Sequence, residues 1–195
     1  MTRELITTAT VRDHFTEALE NALEHYGRIG ARPETLAYLV ELLCDFIKRP
    51  VAELDRPLAL VFASQAQALP DQALIQLKRV GDDALYLCGF FRESLSRHSV
   101  GVDYYCDIGG QAYRRLGRII RRRDRAPKLV GVYVELADRF ALFSDVLADV
   151  RLQTMPDDDV GQLYEKWLKT HSRALEHKLR ASRVVDLRTH KGTPN

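Results

Sequence analysis

Apolar residues recur at steps of three and four along most of the chain, the pattern of helices that each bury one face. Val11, Phe15, Ala18, Leu19, Ala22, Leu23 and Tyr26 form a first stripe, which Gly27 ends. Pro33 opens a second helix with Leu36, Leu39, Val40, Leu43, Cys44 and Ile47 directed inward, and Pro50 stops it. LALVFASQAQAL at 58–69 predicts a short third helix. Its Leu, Val and Phe also suit a strand, but no other stretch offers that strand a partner. The densest pattern lies at 71–97, where Leu74, Leu77, Val80, Ala84, Cys88, Phe91 and Leu95 share a face. Leu85, Leu87 and Phe90 add apolar side chains off that face, so this helix belongs in the middle of its domain.

A further helix is predicted over 102–123, with Val102, Tyr105, Gly109, Ala112, Leu116 and Ile119 or Ile120 at helical spacing. A glycine inside a helix costs roughly 1 kcal/mol relative to alanine, so Gly109, Gly110 and Gly117 predict close approach of another backbone. The two central helices read as a hairpin. Leu129, Val132, Leu136, Phe140, Phe143, Leu147 and Val150 predict one long core helix after Pro127. Val160, Leu163, Tyr164, Trp167, Leu168, His171 and Leu175 form a last stripe, and the period is lost from Val184. The expected fold is all-α, a single-domain helical bundle of about six or seven helices over 1–183, with an extended or disordered tail at 184–195.

LYLCGFFRESL at 85–95, VDYYCDIGGQAYRRL at 102–116 and YEKWLKT at 164–170 carry a resemblance. They resemble the LxGFFxxSLxR, VDYYxxxGxxAYxxL and YExWLxT pattern of an uncharacterised family of bacterial all-helical proteins. The resemblance implies a helical fold and a bacterial source. It implies no activity and no site.

The 195 residues carry 29 Lys and Arg against 27 Asp and Glu, a net charge of +2, which disfavours a nucleic-acid protein in bulk but not a local patch. Cys44, Cys88 and Cys106 lie within helical apolar patterns and read as buried, reduced thiols. The N-terminal stretch has no apolar region of signal-peptide length, and no run of 18 apolar residues occurs, so a soluble cytoplasmic chain without membrane contact is expected.

Most chemistry finds no motif. No Glu is followed three residues on by His, which sets aside a di-iron carboxylate bundle. No HExxH, CxxC, phosphate loop or GxSxG elbow occurs, and neither a metal nor a cofactor is expected. Ser94, Ser96 and Ser99 beside His98 lack a third, orienting group. Two candidate sites are left. The first is the polar turn holding Arg92, Glu93, Arg97, His98, Asp103, Tyr104 and Asp107, which serves either as helix capping or as a small-molecule, enzyme or partner site. The second is the basic patch Arg114, Arg115, Arg118, Arg121, Arg122, Arg123, Arg125 and Lys128, a phosphate or nucleic-acid site or else a solvated helix end. No aromatic residue interleaves within 114–128. The leading expectation is a non-enzymatic interaction or scaffold module whose partner is another protein, with nucleic acid the alternative.

Overall fold

The computed structural model describes residues 8–27, 30–48, 58–65, 70–95, 101–123, 126–154, 169–172 and 174–175. The chain is all-α. Its described elements are α1 (Thr8–His25), α2 (Pro33–Lys48), α3 (Leu58–Ser64), α4 (Pro70–Phe90), the four-residue turn α5 (Arg92–Leu95), α6 (Val102–Arg122), α7 (Pro127–Asp138) and α8 (Phe140–Thr154). Proline stands at the first position of α2, α4 and α7, where its fixed φ suits the helix and its missing N–H is not needed. Gly27, at φ +83, ends α1 in the left-handed conformation that glycine adopts without strain. Residues 58–64 are helical, and no strand occurs among the described residues. None of the described helices is long and apolar enough to cross a membrane.

The bundle is organised around α4, which packs most extensively on α6 and then on α8. The expected central hairpin is therefore present. Leu77, Ala84, Leu85 and Cys88 of α4 are fully buried against Ala112 and Tyr113 of α6. Phe143, Val146, Leu147 and Val150 of α8 close the core on the other side of α4. The α4–α6 contact is close because Gly109 lacks a side chain. A Cβ there would stand 2.5 Å from Phe140 Cε2 and 2.8 Å from Ala84 Cβ. Gly89 does the same for α8, since its Cβ would stand 2.5 Å from Leu147 Cβ.

Two helix boundaries depart from the periodic pattern. The helix expected over 71–97 stops at Phe90 and bends at Phe91 before the short α5 turn. The bend turns Arg92 toward α8, where Nη2 donates to Ser144 Oγ at 3.1 Å and the guanidinium pairs with Asp145. The long helix expected over 129–150 divides at Arg139, whose φ of −118 and ψ of 27 leave the helical region. The Arg139 side chain is anchored on both sides of the break. Nη1 donates to Gly30 O at 3.1 Å and to Glu135 Oε1 at 2.8 Å, and the guanidinium sits 5.3 Å from the Phe143 ring centre. Leu136, Phe140 and Phe143 stay buried across the break. On α2, Ile47 is 60% exposed rather than inward, because Leu42 and Phe46 take the core side at that end of the helix. Most of the last stripe, including Trp167, and the whole tail at 184–195 lie outside the described residues.

Candidate functional site

The most concentrated polar chemistry among the described residues lies where α2, α4, α6 and α7 meet. Asp82 of α4, almost fully buried, is the hub. Tyr38 of α2 donates its phenol to Asp82 Oδ1 at 2.5 Å, and Tyr113 of α6 donates to the same oxygen at 2.8 Å. Lys78, one helical turn before Asp82, donates to Oδ2 at 2.6 Å and lies 5.2 Å from the Tyr38 ring centre. Tyr133 of α7 stacks on Tyr113 with centroids 5.8 Å apart and meets Tyr38 edge-on at 5.6 Å. Gly81 makes the arrangement possible, because a Cβ there would fall 2.6 Å from the Tyr113 ring.

Burial, reinforced by the Asp82 charge, pushes the Tyr38 and Tyr113 phenols well above their ordinary range. Burial also raises Tyr133, against the opposing charge of Lys78. For Lys78, burial acts downward, but the Asp82 charge and hydrogen bond outweigh it and the ammonium is held above its usual value. These groups stay protonated near neutral pH. They tie four helices together and offer neither a general base nor a nucleophile.

Beside this hub opens a groove of about 410 Å³, lined by Leu42, Asp45 and Phe46 of α2 and by Ile75, Lys78, Arg79 and Asp82 of α4. Ile75 is 67% exposed on its rim, and Phe46 stacks on Tyr86 at 4.0 Å on its apolar side. Lys78 is engaged by Asp82, and Arg79 Nε stands 3.7 Å from the buried Asp83. Asp45 is exposed and makes no ion pair with a described residue.

The polar turn does not converge on one point among the described residues. Arg92 is committed to Ser144, Asp145 and, through Nε at 3.4 Å, the carbonyl of Cys88. Asp103 stands in the first turn of α6, where the helix dipole favours an acid, while the N-cap is Gly101 without a side-chain hydrogen bond. Tyr104 lies edge-on to Tyr105 at 5.5 Å, and Asp107 is exposed. Arg97, His98 and the side chain of Glu93 lie outside the described residues. The cavity that Arg92 lines with Gly89, Arg151 and Ser172 has about 30 Å³, room for roughly one water.

The basic patch is partly answered from within. Arg114 pairs with Asp138 at 3.3 Å, Arg123 with Asp71 at 2.5 Å and Lys128 with Glu34 at 3.9 Å. Arg115 Nη2 donates to the Gln65 carbonyl at 2.8 Å, at the end of α3. Arg118, Arg121 and Arg122 are exposed and make no ion pair with a described residue, and Arg125 lies outside the described residues. No group of three or more His, Cys, Asp or Glu side chains among the described residues is placed to hold a metal ion.

Sequence reasoning passed over the Asp82 hub. Its one visible signal was the Asp82-Asp83 pair in the middle of the most apolar helix, since a carboxylate at such a position needs buried partners. No protein-family model matches this chain, and neither a curated protein nor a solved structure matches it.

Proposed function

We propose that this chain is a non-enzymatic protein-interaction or scaffold module, and that the α2–α4 groove is its contact surface. The observation that carries the reading is Ile75, a large apolar side chain exposed on the rim of a groove with Leu42 and Phe46 along it. An exposed isoleucine beside the apolar side chains of a groove whose other walls are charged suits the apolar ridge of an amphipathic partner helix. Charge narrows the partner. Lys78 and Arg79 are answered by Asp82 and Asp83, whereas Asp45 is left facing solvent, so the fitting helix carries a Lys or Arg beside its ridge. The buried tyrosines support a structural role, because both phenols are taken up in hydrogen bonds to Asp82. We infer a bacterial cytoplasmic setting, in keeping with the resemblance carried by residues 85–95 and 102–116 and with three free cysteines.

A photo-crosslinking residue at Ile75, with the same residue at exposed Gln111 as control, tests this in native lysate. The expected result is a crosslink to another protein at Ile75 only, mapped to an amphipathic segment with a basic residue, and lost in Asp45→Lys. Equal capture at both positions, capture unaffected by Asp45→Lys, or capture of a second copy of this chain would each overturn the reading.

A further inference from the structure

The Gly109–Ala84 crossing has a neighbour one turn along. Cys88 lies four residues after Ala84 on α4, and Cys106 lies three before Gly109 on the antiparallel α6. Their Sγ atoms are 3.6 Å apart although the residues are 18 apart in the chain. Cys88 is fully buried, and its Sγ donates to the Val102 carbonyl at 3.7 Å. Cys106 is half-buried, so one thiol of the pair is open to a small reagent and the other is screened.

We propose that Cys106 and Cys88 form a redox-modification site that a hydroperoxide oxidises to an intramolecular disulfide, with Cys106 attacking and Cys88 resolving. The Cys106 thiolate attacks one peroxide oxygen, forming an S–O bond as the O–O bond breaks. The released alkoxide or hydroxide takes a proton and leaves as alcohol or water. Cys88 then attacks the sulfenic sulfur of Cys106. The S–S bond forms, the S–O bond breaks, and the hydroxyl leaves as water with the proton of Cys88. Two thiols lose two electrons in all, and the peroxide is reduced.

Distance and charge both support this order. The sulfurs must close from 3.6 Å to about 2.05 Å, which small rotations of two cysteine side chains can accomplish. When Cys106 ionises, the Cys88 S–H turns from Val102 to donate to it, and this hydrogen bond lowers the Cys106 pKa below the ordinary thiol value. The Arg92 guanidinium of α5 acts in the same direction, while burial and the carboxylates Asp103 of α6 and Asp145 of α8 oppose it. Cys88 moves the opposite way. The shared hydrogen bond and burial raise it, so it keeps its proton until the sulfenic acid has formed. Cys44, the third cysteine, is buried on α2 and serves as an internal reference.

The experiment treats the folded full-length chain with a small excess of hydrogen peroxide, alkylates the remaining thiols and maps unreduced peptides by mass spectrometry. The expected result is a Cys88–Cys106 crosslinked peptide, reversed by dithiothreitol, with Cys44 still a thiol. Dimedone should label Cys106 in Cys88→Ser, and Cys106→Ser should slow loss of the Cys88 thiol by about tenfold or more. In denaturant the preference for this pair should vanish. Recovery of both thiols as alkylated residues, oxidation of Cys44 at the same rate, or dimedone labelling of Cys88 instead of Cys106 would overturn the proposal. If Cys88→Ser does not fold, the wild-type crosslink map decides alone.

Discussion

Ala84 of α4 and Gly109 of α6 meet so closely that a Cβ on Gly109 would lie 2.8 Å from the Ala84 methyl, inside any real carbon–carbon contact. Phe140 closes the same gap with its ring edge, and that ring is itself buried. Gly109→Leu should therefore overpack the crossing and destabilise by on the order of 1–3 kcal/mol, although leucine is the better helix former. Chemical denaturation reads this as a lower midpoint. An unchanged or raised midpoint would mean that the crossing yields without strain.

Gly117, two turns later on the same helix, should behave in the opposite way. A Cβ there would stand 3.6 Å from Tyr133 Cβ and 3.8 Å from Val134 Cγ2, which is ordinary contact. Gly117→Ala then gains helix propensity without a clash and should stabilise by about 0.5–1 kcal/mol. Denaturation of the two glycine variants side by side separates a packing glycine from one that is merely tolerated. A loss of stability in Gly117→Ala would place the tight face across the whole of α6.

The difference between these glycines was only half legible in the sequence. Periodicity located the central helices and marked α6 as a close-packing element, because internal glycines need a tertiary reason. Pro33 likewise announced its helix start through local chemistry, and Pro127 marked the boundary before α7. Features decided by distant residues were hidden. The break at Arg139 depends on the Gly30 carbonyl, and the apolar period runs through it undisturbed. The Asp82 hub depends on Tyr38 and Tyr113, which lie 44 and 31 residues away. The arginines at 114–123 looked like one continuous patch until Asp71 and Asp138 arrived from other helices.

The hub predicts unequal costs for its members. Tyr38→Phe removes one of the three donors to Asp82 and should cost about 1 kcal/mol. Asp82→Ala leaves two buried phenols and the Lys78 ammonium without their acceptor, and should cost about 3 kcal/mol or more. In the Asp82→Ala background, Tyr38→Phe should become nearly neutral, since the bond it removes is already gone. Additive losses in urea denaturation would show that the two residues act independently.

Alkaline pH should unfold the protein through the same residues. Tyr38, Tyr113 and Tyr133 have folded pKa values raised above the unfolded value of about 10, chiefly by burial. Below about pH 10 folded and unfolded chains both hold these protons, so the stability linked to them is fully present. Above it the unfolded chain releases them and the folded chain does not, so stability falls with rising pH. Each such phenol contributes a slope of up to about 1.4 kcal/mol per pH unit in that window. Tyrosinate absorbance should therefore rise in two stages, with the buried phenols ionising together with loss of helical circular dichroism. Complete ionisation while the helix signal persists would contradict the burial of the hub.

The basic face supplies the last prediction. If its arginines gripped phosphates, binding to random duplex would fall steeply with salt, with a log–log slope of about 0.9 per phosphate neutralised. The geometry favours the other outcome. Arg114, Arg123 and Lys128 already face Asp138, Asp71 and Glu34, and Arg115 holds the Gln65 carbonyl. Gripping phosphate would require several of these groups to exchange partners. Arg118, Arg121 and Arg122 are left as an exposed trio at one end of α6, in a chain whose net charge is only +2. Wild type should therefore bind duplex no better than an unrelated protein of similar charge, and changing Arg121, Arg122 and Arg123 to Ala should leave that weak binding and its salt slope almost unchanged. The triple variant should lose at most about 1 kcal/mol of stability, because the Arg123–Asp71 pair is largely solvent-exposed on its aspartate side. Fluorescence anisotropy across a salt series measures the binding and its slope, and urea denaturation measures the stability. Sub-micromolar, salt-steep binding that the triple variant abolishes would displace the protein-interaction reading and make nucleic acid the partner.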